Sequence, residues 1–574
     1  MPNERLVPTP AAPSVNTFTV TSDGVPVPAE VQVLSIVVHK ELNRIPTATL
    51  IVRDGSAASQ TFGISDSEHF IPGKTLQITS GYQAVEDKIF KGVVVSQSLK
   101  MREQASVLTV ICKDASFKMT VKRNSRYFTD QKDSAVFEDI INQYGLTPDV
   151  EATTEEHRSL VQFHSTDWDF VLSRADMLGK VVLAEDGKLK IAAPDFNQPE
   201  GLSLQFGATM LEFDADMDAR SQFSSVKTLS WGSPDQEIRE SEETTDPFME
   251  AGNLSGSTLA DVHGAKELTD MHSGNLSEAE LQNWAKARLL RSRLAKLRGR
   301  VKCQGIASLQ PGQIIKLEGV GARFEGKVYV SAVRHEIGDG NWTTDVQFGL
   351  SPEHFAETFA MQAPAAGGLL PPVSGLQTGV VTQLEEDPDG EHRIKVRLPM
   401  VHASDEGNWA RVSTLDAGNN RGSFFRPEIG DEVVVGFFQN DPRHPVVLGA
   451  LNSSAKPAPL EAKDDNHQKG FVTRSGMKLL FDDDKKNVLL ETPDGNKVAI
   501  SGEDQSITIE DQHGNKLVFD SNGITMQSSK NMVLKAQLDL TAEASKNLTC
   551  KASAMGEFSA SGTTTIKGGL VQIN

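Results

Sequence analysis

Cysteine is scarce: Cys112, Cys303 and Cys550 are the three in 574 residues, and no two stand close together. That spacing excludes a zinc ribbon and a disulfide framework, and it fits synthesis in a reducing compartment. Aromatic side chains make up 6% of the chain, with 4 tyrosines, which argues against large aromatic-lined pockets. No stretch approaches the ~20 consecutive apolar residues that a membrane-spanning helix needs. The first residues, Met1-Pro-Asn-Glu-Arg-Leu6, lack the basic region and apolar run of a secretory signal. Export, if it occurs, is then expected by another route. The nucleophile elbow GxSxG, the zinc motif HExxH and a P-loop are all absent from the sequence.

What is present points to β structure in several domains. The length calls for three or four cores. Glycine is abundant at 46 residues, and a net charge of −20 disfavours nucleic acid and anionic membranes as partners. Short β-branched runs separated by turn signals fill the first 120 residues, among them 31–38, 70–78, 89–95 and 106–112. Helices are expected over 133–145, capped by Asp133 or Ser134, and over 167–178. Another is expected over 277–298, opened by a capping box at Ser277 and Glu280. Its Arg/Lys run reads as a solvated or interface-facing surface. Residues 236–275 are polar, with acids from Glu240 to Asp246, and read as a mobile connection. A Pro/Gly-rich linker, 363–374, precedes a compact module, 375–452, whose five strands suit an OB-type barrel.

From Met477 onward short alternating strands follow one another. Asp494-Gly-Asn-Lys497 and His513-Gly-Asn-Lys516 recur nineteen residues apart, which gives a unit of nine or ten residues. Each strand offers one apolar side and cannot bury it alone. Three copies of the chain, pairing backbone to backbone, would enclose those sides in a thin prism. The expected trimer core is Ile500, Ile507, Ile509, Leu517, Phe519, Met526, Leu534 and Leu540.

These features together resemble the VgrG family of spike proteins, the counterpart of fused hub and needle proteins of contractile-tailed phages. The likeness rests on Phe70-Ile-Pro-Gly-Lys-Thr-Leu76 with Ile89-Phe-Lys-Gly-Val-Val94, and on Gln162-Phe-His-Ser-Thr-Asp-Trp-Asp-Phe170 with Arg174-Ala-Asp-Met-Leu-Gly179. It continues in Gly379-Val-Val381, Arg393-Ile-Lys-Val-Arg397, Trp409-Ala-Arg-Val412, Phe425-Arg-Pro-Glu-Ile-Gly-Asp-Glu-Val433 and Pro445-Val-Val-Leu-Gly449. The resemblance implies a mainly β fold with some α. Its parts would be a first hub β-barrel (1–120), a helical and β insertion (121–235) and a second hub barrel (236–362). An OB-fold domain (375–452), a linker (453–470) and a trimeric β-helix or β-prism needle (471–574) would follow.

The resemblance further implies a homotrimer that docks on the inner tube and baseplate of a contractile injection machine. Such a spike pierces a target membrane in passing, and effector cargo is a possible companion. It is assembled in the bacterial cytoplasm without a signal peptide and leaves on the tip of the particle. No catalytic residue, cofactor or metal is assigned, and the expected role is structural, not enzymatic. A PAAR-type tip protein is expected on the C-terminal face, at Ile566, Leu570, Val571, Ile573 and Asn574. The alternatives are a phage or prophage tail spike, or a polysaccharide-acting β-helix enzyme.

Overall fold

The computed structural model describes residues 15–103 and 105–573. Its contacts divide into two compact units, Met1–Gly368 and Leu369–Asn574, and the division falls inside the 363–374 linker.

In the first unit the strands of the first hundred residues do not form a barrel of their own. They belong to one 13-stranded sheet with strands from the unit's far end. The seam is the antiparallel pairing of Val33–Glu41 with Gly326–Gly338, in which His335 faces Val38 and Ile337 faces Ile36. The core under the early strands, built on Leu50, Phe70, Ile78, Phe90 and Val110, accordingly contains Ile337 and Trp342 as well. The expected first and second hub barrels thus share one sheet.

The chain between them forms a helical subdomain with its own core of Phe137, Ile140, Ile141, Trp168, Leu172 and Ile191. Helix α1 (Asp133–Gln143) has the expected helical spacing but a different start. Its N-cap is Lys132, without a side-chain cap. Asp133 instead lies inside the helix, where its carboxylate takes the Arg174 guanidinium at 2.8 Å and His157 Nε2 at 2.8 Å. Helix α2 (Asp167–Met177) is capped by Thr166, which accepts from the Asp169 amide. Asp167 is fully buried and accepts from Asn124 (3.0 Å), Arg126 (2.5 Å), Tyr144 (2.7 Å) and Gln162 (2.7 Å). Burial alone would raise its pKa. The bonds from Gln162, Tyr144, Arg126 and Asn124 outweigh burial and hold the carboxyl below its usual range.

Residues 236–275 are not a mobile connection. Glu237–Glu243 pairs antiparallel, and Glu267–His272 parallel, with Ser225–Gly232, and helix α3 (Gly256–Ala260) lies between them. What orders the segment is helix α4 (Glu278–Ala295), which packs on this three-stranded sheet and opens with the expected capping box. Lys286 is exposed and Arg288 half-buried, but Arg291, Arg293 and the capping Lys296 are buried rather than solvated, and each is met by an acid. Arg293 reaches Asp246 (2.5 Å), and the capping residue Lys296 reaches Glu250 (2.8 Å) and the carbonyls of Ala251 and Leu254 (2.8 Å each). Arg288 pairs with Asp270 and with Glu357 of α5 (Phe355–Thr358), and Arg291 pairs with Asp176 of α2. The acidic and basic runs, unrelated along the chain, meet in space at Asp246 and Arg293.

The second unit opens with the closed five-stranded barrel expected at 375–452. Its strands are Gln377–Gln383, Ile394–Arg397, Asn408–Val412, Glu432–Phe437 and Pro445–Ala450. Val381, Ile394, Val396, Ala410, Val433, Val435 and Val447 fill it. The loop at Asp387 is a turn: the Gly390 amide donates to the Asp387 carbonyl at 3.1 Å, and Gly390 takes φ +68°. The Arg393 guanidinium on the Asp387 carboxylate holds that carboxyl well below its usual range.

Candidate assembly interface

After the barrel, seven strands form a single antiparallel sheet in sequence order, from Gln468–Val472 to Gly523–Gln527. Each intervening strand is five residues long: Lys478–Asp482, Asn487–Glu491, Lys497–Ser501, Ser506–Glu510 and Lys516–Asp520. The expected pairing between chains is corrected here, because over 468–527 the ladder closes within one chain. The reason is local. Gly476, Gly495 and Gly514, at φ +84° to +93°, stand 19 residues apart and turn the chain back on itself. In two of those turns the Thr492 and Asp511 amides donate to the Asn496 and Asn515 carbonyls. The repeat is therefore a 19-residue hairpin, and nine or ten residues is the length of one arm.

Side chains opposite one another in a ladder share a face, and i, i+2 share it too. The register therefore sorts every residue. One row runs Leu479, Leu490, Val498, Ile509, Leu517, Met526 through successive partners. The row beside it runs Phe481, Val488, Ile500, Ile507, Phe519, Ile524. No polar side chain interrupts either row. At ~4.8 Å per strand the strip is roughly 30 Å long. It is solvent-exposed in the single chain: Ile507 is 41% exposed, Ile500 47% and Ile524 67%. A hollow of about 710 Å³ lies against it, lined by Leu490, Val498, Ile509, Leu517, Met526 and Val533 among others. At the barrel end Phe471 stacks on Phe425, ring centroids 5.2 Å apart, and carries the apolar surface to the barrel loops.

The opposite face carries a row of alternating charge. Lys478, Glu491, Lys497, Glu510 and Lys516 are successive partners, with ion pairs of 3.1 Å for Lys478–Glu491 and 3.3 Å for Lys497–Glu510. Opposite charges across strands add to pairing. Beside this charged row the same face carries Leu480, Leu489, Ala499, Thr508 and Val518 as successive partners, so it is mixed where the first face is wholly apolar. Asp482, the first acid of an acidic turn, accepts from the Lys485 amide at 3.0 Å and acts as a turn residue.

Six of the eight residues singled out from sequence, Ile500, Ile507, Ile509, Leu517, Phe519 and Met526, lie together on the apolar face. Leu534 and Leu540 do not join the sheet. Among the described residues no strand follows Gln527, so the succession of short strands expected from Met477 onward stops there within the chain. Ile566, Leu570, Val571 and Ile573 are exposed in that extended tail, and Asn574 lies outside the described residues. Sequence reasoning missed Leu479, Phe481, Val488, Leu490, Val498 and Ile524. Their signal was strict period-two alternation counted from the turn glycines.

Comparison with known proteins assigns families along the chain. Residues 12–339, more than half of it, match the Alg8 N-terminal domain family. Residues 377–451 match the type VI secretion system/phage-baseplate injector OB domain. Residues 487–574 match the phage baseplate V C-terminal trimerisation domain. The type VI secretion system spike protein VgrG1b of Pseudomonas aeruginosa is 26% identical over 38% of this chain and 31% of its own length. VgrG1a of the same organism is 27% identical over 31% of this chain and 29% of its own. The matches thus span about a third of these relatives. Among solved structures, an Escherichia coli component of the type VI secretion system has a TM-score of 0.40 at 14% identity, covering 75% of this chain and 99% of that one. With an Alg8 N-terminal domain, an injector OB domain and a baseplate trimerisation domain in that order, the chain belongs to the VgrG family of spike proteins.

Proposed function

We propose that three copies of this chain form the hub and spike at the tip of a contractile injection machine. The first unit and the barrel would dock on the inner tube and baseplate, and the C-terminal sheet would be the needle that pierces a target membrane. The observation that carries this reading is the uninterrupted two-row apolar strip, backed by a face that carries a row of alternating Lys and Glu. A contiguous apolar strip of this kind is the surface feature that marks an interface. Three such sheets facing inward make a closed prism, and the match of 487–574 to a trimerisation domain supports that number.

The role is mechanical. The driving energy comes from outside the chain, and the spike itself needs stiffness rather than an active site. The same reading has the protein assembled in the bacterial cytoplasm without a signal peptide and carried out on the particle, with effector cargo as a passenger. It also places a PAAR-type protein over the exposed Ile566, Leu570, Val571 and Ile573. Light scattering of the intact protein is expected to give three times the chain mass. A stable monomer would remove the reading and favour a carbohydrate-acting enzyme. Deleting 568–574 is expected to abolish co-purification with the tip protein while leaving the trimer intact. Undiminished co-purification removes that assignment.

A further inference from the structure

The three-stranded sheet beneath helix α4 uses one of its faces and leaves the other bare. Thr228 and Ser241 are register partners on the used face, where Thr228 donates to the Leu281 carbonyl at 2.9 Å and Ser241 donates to Gln282. The rows on either side of theirs point the other way. They read Ile238–Trp231, then Glu240–Leu229–Met271, then Glu242–Lys227–Thr269. Ile238 is 64% exposed, Met271 76% and Trp231 39%. The sheet also has two open edges. Among the described residues Glu237–Glu243 and Glu267–His272 each pair with Ser225–Gly232 and with no further strand.

The charge around this face is one-sided. Lys227 stands among three acids: its bond to Glu240 at 2.7 Å, with the charges of Glu267 and Glu242, holds its ammonium above the usual lysine range. One cation among three carboxylates leaves an excess of negative charge beside the apolar row. An open edge is a template for another strand, and its side chains decide which strand fits. Along Glu237–Glu243 the bare face presents Ile238, Glu240 and Glu242. A second copy of this edge laid antiparallel against it would set Glu240 against Glu240, and like charges directly opposite destabilise a pair. A strand with Lys or Arg opposite the two acids and an apolar residue opposite Ile238 gains at all three positions.

We propose that the Glu237–Glu243 edge receives an extended segment of another protein, which adds a fourth strand to this sheet and carries basic and apolar residues on the side it shares with Trp231. Backbone bonds along the edge supply the affinity. Glu240 and Glu242 select the basic residues, and the Ile238–Trp231 row takes the apolar one. A tryptophan and a methionine beside a charged rim match the composition of protein-binding patches. The whole surface lies within the first unit, so it stands whether or not the C-terminal sheets associate.

Short synthetic peptides are the probe. One alternates Val with Lys, one alternates Val with Glu, and one has the Val/Lys composition interrupted by proline. Each is titrated into the full-length protein by calorimetry, with the oligomeric mass read in parallel by light scattering. The Val/Lys peptide is expected to bind about tenfold or more tightly than the other two. Its affinity is expected to fall about tenfold in Glu240→Gln, Glu242→Gln, and to fall also in Ile238→Thr, which keeps a β-branched residue at an exposed place. The reversal Glu240→Lys, Glu242→Lys is expected to prefer the Val/Glu peptide. Equal affinity for the proline-interrupted peptide overturns strand addition. Equal affinity for the two charged peptides, or no binding of Val/Lys, overturns the proposal on the unaltered protein, whatever the folding of a variant. A Val/Lys peptide that binds folded Glu240→Gln, Glu242→Gln undiminished sits elsewhere and overturns it too. A monomeric mass removes the trimeric reading and leaves each of these outcomes as it is.

Discussion

Asp167 shows how much one buried carboxylate can organise. Asn124, Arg126, Tyr144 and Gln162 all donate to it, so the helix start, the two-stranded ribbon below and the end of the neighbouring helix meet on one side chain. Asp167→Ala removes the acceptor and strands the donors, one of them a cation. The expected cost is about 3–5 kcal/mol, read as a lowered urea midpoint. A loss under about 1 kcal/mol would show that the donors find other partners. Two buried histidines set a pH dependence. Burial pushes His335 down to about 3, with the charge of Lys40 adding to it, and pushes His354 down to about 4, with Arg288 adding. Both imidazoles stay neutral in the folded chain, while the unfolded chain takes up their protons below about pH 6.5. Their stability is therefore complete above that pH and is lost as pH falls toward 4 and 3. Between pH 7.5 and 5.0 each is expected to cost about 1–2 kcal/mol. Urea titrations at the two pH values check this, and a double His335→Gln, His354→Gln variant should show a flatter dependence.

Helix α4 is the element on which the first unit turns, because its cations are satisfied by acids from the sheet beneath it, from α2, from α5 and from the acidic segment beside it. Lys296→Met leaves Glu250 Oε2 without its cation and the carbonyls of Ala251 and Leu254 without their donor. The strand Glu237–Glu243 and its loop are then expected to open first, seen as new protease cuts within 236–275 before any elsewhere. An unchanged cleavage pattern would assign the ordering of that segment to its strand pairing alone. This element also shows where sequence reading stops. The helix, its capping box, the five barrel strands and the short strands between 478 and 527 were legible, because each is written in local spacing. That the acidic run 240–246 belongs against the basic helix was not, since composition reports charge and never its partner. Nor was the shared sheet, whose seam joins residues about 300 positions apart. At the C-terminal sheet six residues of the apolar face were found from alternation, but their ladder was assigned to neighbouring chains. The turn glycines, at left-handed φ, decide in favour of hairpins.

For the whole molecule the two faces of that sheet make opposite predictions for substitutions one residue apart. Ile507→Asp places a carboxylate in the apolar strip, and in the proposed trimer burying it against two partner sheets is prohibitive. The needle is expected to fail to associate, with light scattering moving from three chains toward one. Thr508→Asp adds the same charge to the charged face and should leave the mass at three. Equal behaviour of the two variants would dissolve the distinction between inner and outer faces. The remaining consequence lies in the 19-residue period. Because each hairpin begins and ends in the same register and returns the chain to the same edge, the sheet is a modular ruler. Inserting one whole unit extends it by two strand spacings, about 9.5 Å, with every apolar side chain still facing inward. An insertion of any odd number of strand residues instead reverses the faces beyond it. Reach can therefore be lengthened or shortened over generations in whole hairpins without redesigning either end.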